Sequence, residues 1–184
     1  MPFKQESSLY DLFHKDKDYA AEAMAIKKRY RGVKTILEIG SGTGLLTIEL
    51  IKLGFKVTVL EPSEDMLEQM WKKYGKIGFL WSRLEDIEID RFKKDSFDLV
   101  LANYDVINYI KHEDQDYQLY KLSTWGKRVN IEMWDATMGV KFFTHKKVDG
   151  WHRFRIGIKI GRTAHLWFIY LGKGFLVEKH TLYL

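Results

Sequence analysis

The residues whose types and spacing are best suited to chemistry are three glycines and two glutamates. The run Glu38-Ile39-Gly40-Ser41-Gly42-Thr43-Gly44 lies between a strand-like stretch, VKTILEI, and a stretch of helix formers from Leu45 to Leu53. Glycines at alternate positions let a backbone bend sharply and come close to a ligand, where a side chain would collide with it. A helix starting near Gly44 aims its unpaired N–H groups at the same place and favours an anionic group such as a carboxylate. Glu61 follows seventeen residues later, at the end of the next β-branched run. An acid there is placed to accept hydrogen bonds from both hydroxyls of a ribose. A nicotinamide-type fingerprint, G-x-G-x-x-G, would need glycine at position 45, but the chain has Leu45 and the spacing is G-x-G-x-G.

The elements that must hold these residues alternate. Tyr19 to Tyr30 reads as a helix with Asp18 as N-cap and basic residues near its end. In the stretch from Leu45 to Leu53, the positions of Leu45, Ile48 and Leu53 predict one buried face. Lys56 to Leu60 reads as a strand. Ser63, followed by Glu64 and Asp65, starts a helix that runs from Met66 to Tyr74. Further strands are expected at Ile77 to Trp81, at Phe97 to Ala102 and over VNIEMW. This order predicts an α/β, Rossmann-like, doubly wound and mostly parallel sheet over residues 1–135. Residues 136–184 offer only β-like segments parted by turn signals and are expected to add an antiparallel β extension within the same domain. From Trp151 to Ile160 apolar and basic residues alternate.

Bulk properties narrow the functional classes. A chain of 184 residues that is 46% hydrophobic supports a real core in one domain. The absence of cysteine excludes disulfides and thiolate chemistry and suits a reducing compartment. No stretch has the length of a membrane span and the N-terminus lacks an apolar leader, so a cytoplasmic location is expected. Histidines 14, 112, 145, 152, 165 and 180 have no metal-ligand spacing, and no metal is expected. The net charge of +5 divides unevenly, −2 over residues 1–135 and +7 over 136–184. The basic segment suits either an anionic partner or plain solvation.

ILEIGSGTG followed by VLEPSEDML resembles motifs I and II of the class I S-adenosylmethionine-dependent methyltransferases. LYDLFHKDKDYAAEA and FDLVLANYDVINYI resemble the opening and the fourth-strand motif of the small-molecule subgroup that N-methylates nucleotide-linked amino sugars. The resemblance implies S-adenosylmethionine as cofactor. Gly40, Ser41, Gly42 and Gly44 would hold its methionine part with Glu38, and Glu61 its ribose, flanked by Pro62 and Met66. Tyr10 and Tyr19 would close over it, and Asn103 would end the fourth strand beside the sulfonium. Tyr10, Asn108, Tyr109 and Asp105 would orient the acceptor amine, and Trp134 and His180 would border it. Tyr109 stands where the subgroup often has a histidine.

The chain also departs from that pattern. Arg83 replaces the usual acid that contacts the adenine amino group, leaving Leu84 backbone or Asp86 to serve. Thr124-Trp125-Gly126 replaces a Pro-Gly turn before the fifth strand, and relatives continue beyond Leu184 with a helix and two more strands. The resemblance implies a homodimer formed through the β extension. Two other readings remain open. One is an RNA methyltransferase gripping phosphates with Lys146, Lys147, Arg153, Arg155 and Lys159. The other is an inactive cofactor-binding or dimerisation module.

Overall fold

The computed structural model describes the backbone of residues 7–75, 77–104, 106–135, 139–148, 151–160, 163–171 and 175–183. Side chains are described between residues 9 and 131, except at 76, 105, 108, 112 and 116. The chain forms two compact units, Met1–Glu88 and Ile89–Leu184.

In the first unit, α1 (Ser7–Phe13) and α2 (Tyr19–Arg29) precede β1 (Thr35–Ile39), α3 (Leu45–Lys52), β2 (Lys56–Glu61), α4 (Glu64–Tyr74) and β3 (Phe79–Trp81). β2 lies between β1 and β3 and is parallel to both, with Ile39 opposite Leu60 and Glu61 opposite Trp81. Ile36, Leu37, Ile39, Val57, Val59 and Leu60 are all buried. Strands covered on both faces read as continuous apolar runs, and that composition selects a parallel sheet with helical crossovers. The caps stand where the sequence places them. Asp18 accepts from the Ala21 amide at 2.8 Å, and Ser63 accepts from the Met66 amide at 3.4 Å.

The buried face of α3 differs from the expected one. Leu46, Thr47 and Leu50 are buried, whereas Leu45, Ile48 and Leu53 are only half-buried. LLTIELIK is apolar on nearly every side, so its periodicity does not select a face. The buried polar partner of Thr47, described below, does.

In the second unit, β4 (Leu99–Ala102) pairs in parallel with β5 (Arg128–Asp135). β4 is shorter than expected because Phe97 makes only an isolated bridge to Gly126. Between the strands lie a 3-10 turn, Val106–Tyr109, and α5 (His112–Trp125), a helix the sequence reading does not anticipate. Thr124 and Trp125 are the last residues of α5 and Gly126 is its C-cap, so this segment is a helix end rather than a turn.

The stripe that buries α5 is Gln118, Lys121, Leu122 and Trp125, at helical spacing but half polar. Lys121 is fully buried, with its ammonium 5.4 Å from the Trp125 ring centroid and 5.7 Å from that of Tyr117. A lysine whose stem packs among apolar groups and whose charge faces aromatic rings escapes a search for apolar periodicity. The remaining strands are β6 (Gly139–Val148), β7 (Trp151–Ile160), β8 (Thr163–Leu171) and β9 (Phe175–Tyr183). Among the described residues no helix is long and apolar enough to cross a membrane.

Candidate active site

The glycine bend follows β1 directly. Gly40, Gly42 and Gly44 have φ of 69°, 55° and 82°, so all three sit in the left-handed region that glycine enters without steric cost. The Gly40 amide donates to Leu60 O at 2.7 Å, tying the bend to the end of β2, and the Gly44 amide donates to Ser41 O at 3.0 Å. α3 then begins on Gly44, with no side chain capping its first N–H groups.

The glycines differ in what they make room for. A Cβ on Gly44 would stand 2.7 Å from Met70 Cγ and Sδ, so this position is needed for packing against α4 rather than for the approach of a ligand. A Cβ on Gly42 would meet only the Tyr10 ring, at 3.8 Å, with the phenol oxygen at 3.9 Å. Gly42 therefore faces a space roofed by Tyr10, and the phenol is the first group a side chain would reach.

Glu61 turns toward this bend. One carboxylate oxygen accepts from the Gly42 amide at 2.8 Å and the other from the Ser63 amide at 2.9 Å. A carboxylate offers about four acceptor sites, so each oxygen keeps a lone pair for a further donor such as one hydroxyl of a cis-diol. Burial pushes the Glu61 carboxyl up, and the two backbone donors pull it back down.

Glu38 lies deeper, 5% exposed, and accepts from the Thr47 hydroxyl at 2.7 Å. Burial raises its pKa to about 7 against the Thr47 hydrogen bond, and the neighbouring carboxylates Glu22 and Glu61 push the same way. A buried acidic patch of this kind favours a cationic ligand. The Ser41 hydroxyl on the bend is buried and has no hydrogen-bond partner. Buried polar atoms are rarely orphaned, and this one leaves a hydroxyl on the bend available to a polar ligand atom.

α1 crosses the bend. Asp11 accepts from the Thr43 hydroxyl at 2.6 Å and pairs with Lys73 of α4. Tyr10 stacks on His14 with ring centroids 4.4 Å apart. The Tyr19 phenol is raised, first by burial and then by Tyr10, Glu22 and Asp11, so Tyr10 and Tyr19 share one electrostatic neighbourhood. The Lys17 ammonium lies 5.2 Å from the Tyr19 ring centroid. Pro62 is exposed beside Glu61, Met66 is buried in the first turn of α4, and Leu84 is buried in the turn after β3. Arg83 and Asp86 are exposed, and the Asp86 amide closes that turn onto Arg83 O at 3.2 Å.

In the second unit Asn103 is buried at the end of β4, and its carboxamide oxygen accepts from Asn130 of β5 at 2.9 Å. Tyr104 follows at φ 59°, a left-handed conformation that a bulky residue rarely adopts and that costs on the order of 1 kcal/mol. Gln115 donates to Ile107 O at 3.3 Å and to Ile110 O at 3.1 Å, holding the 3-10 turn against α5. Tyr109 ends that turn and is 71% exposed. The Asn108 side chain lies outside the described residues, as do Asp105 and the side chains of Trp134 and His180.

The structure thus gathers Tyr10, Tyr19, Glu38, Gly40, Ser41, Gly42, Gly44 and Glu61 in one unit. Sequence reading missed Asp11, Thr43, Thr47, Lys73, Tyr104 and Asn130. Only Thr47 carries a visible signal, since a glutamate inside an apolar strand demands a polar partner on the element packed against it.

Residues 36–126 match the family model of the methyltransferase domain. A protein named as a methyltransferase from Geobacillus sp. (strain WCH70) is 29% identical over 127 residues, 65% of this chain and 51% of that protein. The mitochondrial ribosomal RNA small subunit methyltransferase of Arabidopsis thaliana is 40% identical over 75 residues, 40% of this chain and 20% of the relative. The chain therefore spans about half the length of the first relative and a fifth of the second.

Among solved structures, Streptomyces venezuelae DesVI has a TM-score of 0.62 at 22% identity, covering 96% of this chain and 82% of that one. S-adenosylmethionine-bound CalS10, an amino pentose methyltransferase from Micromonospora echinaspora, has a TM-score of 0.61 at 15% identity, covering 100% and 84%. These likenesses give the α/β Rossmann-like methyltransferase fold, with its parallel sheet of five strands. Residues 36–126 thus carry the likeness to a methyltransferase domain, and the family and fold comparisons together support a class I S-adenosylmethionine-dependent methyltransferase with S-adenosylmethionine as cofactor.

Proposed function

We propose that the protein transfers a methyl group to a small-molecule amine, with a nucleotide-linked amino sugar as the leading acceptor class. The observation that carries the methyl-donor part of this reading is the Glu61 carboxylate, clamped between the Gly42 and Ser63 amides and turned toward the roofed space over Gly42. S-adenosylmethionine, when bound, supplies an activated methyl carbon on a sulfonium. The residues fit that group. Glu61 keeps lone pairs for the ribose, with Pro62 and Met66 beside it, and Leu84 and Asp86 lie in the turn on the base side. The orphaned Ser41 hydroxyl and the uncapped first N–H groups of α3 face the amino-acid end. The Glu38 carboxyl is the acidic group nearest in kind to what an ammonium requires.

The rest of the chemistry is alignment and exclusion of water, which supplies several of the roughly 10 kcal/mol or more that enzymes commonly provide. Tyr10 roofs the bend and shields it. Asn103, Asn108, Tyr109 and Asp105 orient a neutral amine on the acceptor side, and Trp134 and His180 border it. The amine reading is supported by the likeness to an amino pentose methyltransferase.

The antiparallel extension over residues 136–184 belongs to the same proposal, as a basic cover for a phosphate-bearing acceptor and as a dimer surface. Its support is the backbone register, in which β6 runs antiparallel to β5 from Lys146 opposite Arg128 to Gly139 opposite Asp135. The +7 charge of that segment supports an anionic acceptor. The absence of cysteine from the chain supports a cytoplasmic setting.

RNA is the second reading, favoured by the match to a ribosomal RNA methyltransferase. Titration with S-adenosylhomocysteine, followed by transfer of labelled methyl to amines, nucleotide sugars and RNA, separates the two. Label on a nucleotide sugar supports the first reading, and label on RNA with steep salt dependence overturns it. Cofactor binding without transfer to any of them favours an inactive module.

A further inference from the structure

At the carboxyl end of the sheet the residue beside Glu61 is Trp81. The two are register partners on adjacent parallel strands, about 4.8 Å apart, so their side chains leave the sheet on the same face. The Trp81 indole is fixed in place, its N–H donating to Pro62 O at 3.0 Å, across the end of β2. It is nevertheless 55% exposed. A large aromatic group tethered by its polar edge, with its ring open to solvent, is already ordered for a flat ligand to stack on. The turn that follows offers no acid before Glu85: Ser82, Arg83 and Leu84 come first, and Arg83 is exposed. The three residues directly after β3 therefore include no carboxylate, whereas a flat ring is held next to the group that faces the ribose.

Given the cofactor reading above, on which this rests, we propose that Trp81 is the base platform of the site, stacking on the purine face. Recognition by a ring face is tolerant of the base's edge, because every base has one. The cofactor site would accordingly accept a purine altered at its 6-position.

The test is calorimetric titration of the full chain with S-adenosylhomocysteine and with its deaminated analogue, S-inosylhomocysteine. Wild-type protein is expected to bind both within about 5-fold of one another, since stacking does not read the 6-substituent. Trp81→Ala should weaken both alike, by roughly 5- to 50-fold, while Trp81→Phe should stay within about 3-fold of wild type. Unliganded melting temperatures of the variants report whether the fold is intact, and the exposure of Trp81 predicts little change. Unchanged affinity in Trp81→Ala overturns the platform and leaves the cofactor reading standing. So does rejection of the deaminated analogue by more than about 50-fold in wild type, which would mean edge recognition. If wild type binds neither compound, the cofactor reading fails and the platform falls with it.

Discussion

The glycine bend in the first unit and the turn after β4 in the second are built on different principles. At the bend the backbone makes the site: three left-handed glycines, amides fixed by Leu60 and Glu61, and two buried carboxylates. After β4 the turn depends on side chains, Asn130 donating to the Asn103 carboxamide and Gln115 to two backbone carbonyls, and Tyr109 projects into solvent. A site made of backbone suits a constant ligand. A site made of exposed side chains on a held turn can change specificity without disturbing the fold beneath it.

The contrast is most exposed to test at Glu61. Glu61→Ala removes the acceptor for the proposed ribose and orphans two amides, so affinity for S-adenosylhomocysteine should fall by about 10- to 100-fold and stability by about 1–3 kcal/mol. Calorimetry and denaturant melts read the two effects separately. Unchanged binding would mean that the carboxylate only braces the backbone.

Glu38 gives a pH signature. Its folded pKa of about 7 lies above the ordinary 4.5, so the proton it keeps stabilises the fold fully below pH 4.5. That contribution, on the order of 3 kcal/mol, is lost as pH rises from 4.5 through 7. Glu38→Gln should flatten the decline in melting temperature over this window. A decline as steep as in wild type would assign the slope to other groups.

Gly44→Ala tests whether this glycine serves packing. Its left-handed φ and the Met70 contact predict a loss of about 1–3 kcal/mol in the unliganded chain. Gly42→Ala shares the backbone cost but meets only Tyr10 at ordinary contact distance, so it should cost less stability. Equal losses in thermal melts would erase the distinction.

The smallest effect belongs to the second region. Tyr109→Phe, at an exposed position, should leave stability within about 0.5 kcal/mol and S-adenosylhomocysteine binding unchanged. Its effect should instead be a few-fold loss of methyl-transfer rate to the acceptor. A change in cofactor affinity would move Tyr109 out of the acceptor role.

The first region was legible in the sequence because its chemistry depends on residue types with few substitutes. Glycine at 40, 42 and 44 and an acid at 61 announce themselves in one dimension, as do Asp18 and Ser63 at helix starts. What stayed hidden depends on contacts between distant segments. Asp11 reaches Thr43 and Lys73 over 32 and 62 positions, and no local pattern encodes that pairing. α5 escaped because Gln118 and Lys121 occupy its buried stripe, and the true face of α3 escaped because Thr47 is drawn inward by Glu38.

Asp11 also bears on how the pocket is entered. The floor of the bend is welded to the sheet, whereas its cover is seven residues of helix on which Asp11 bonds the Thr43 hydroxyl and pairs with Lys73. Lifting that helix breaks no strand pairing, so its opening is a local event far cheaper than unfolding. Added salt would loosen the ion pair and leave the floor intact. Amide exchange in residues 7–13 should therefore quicken with ionic strength while that of β1 and β2 holds still.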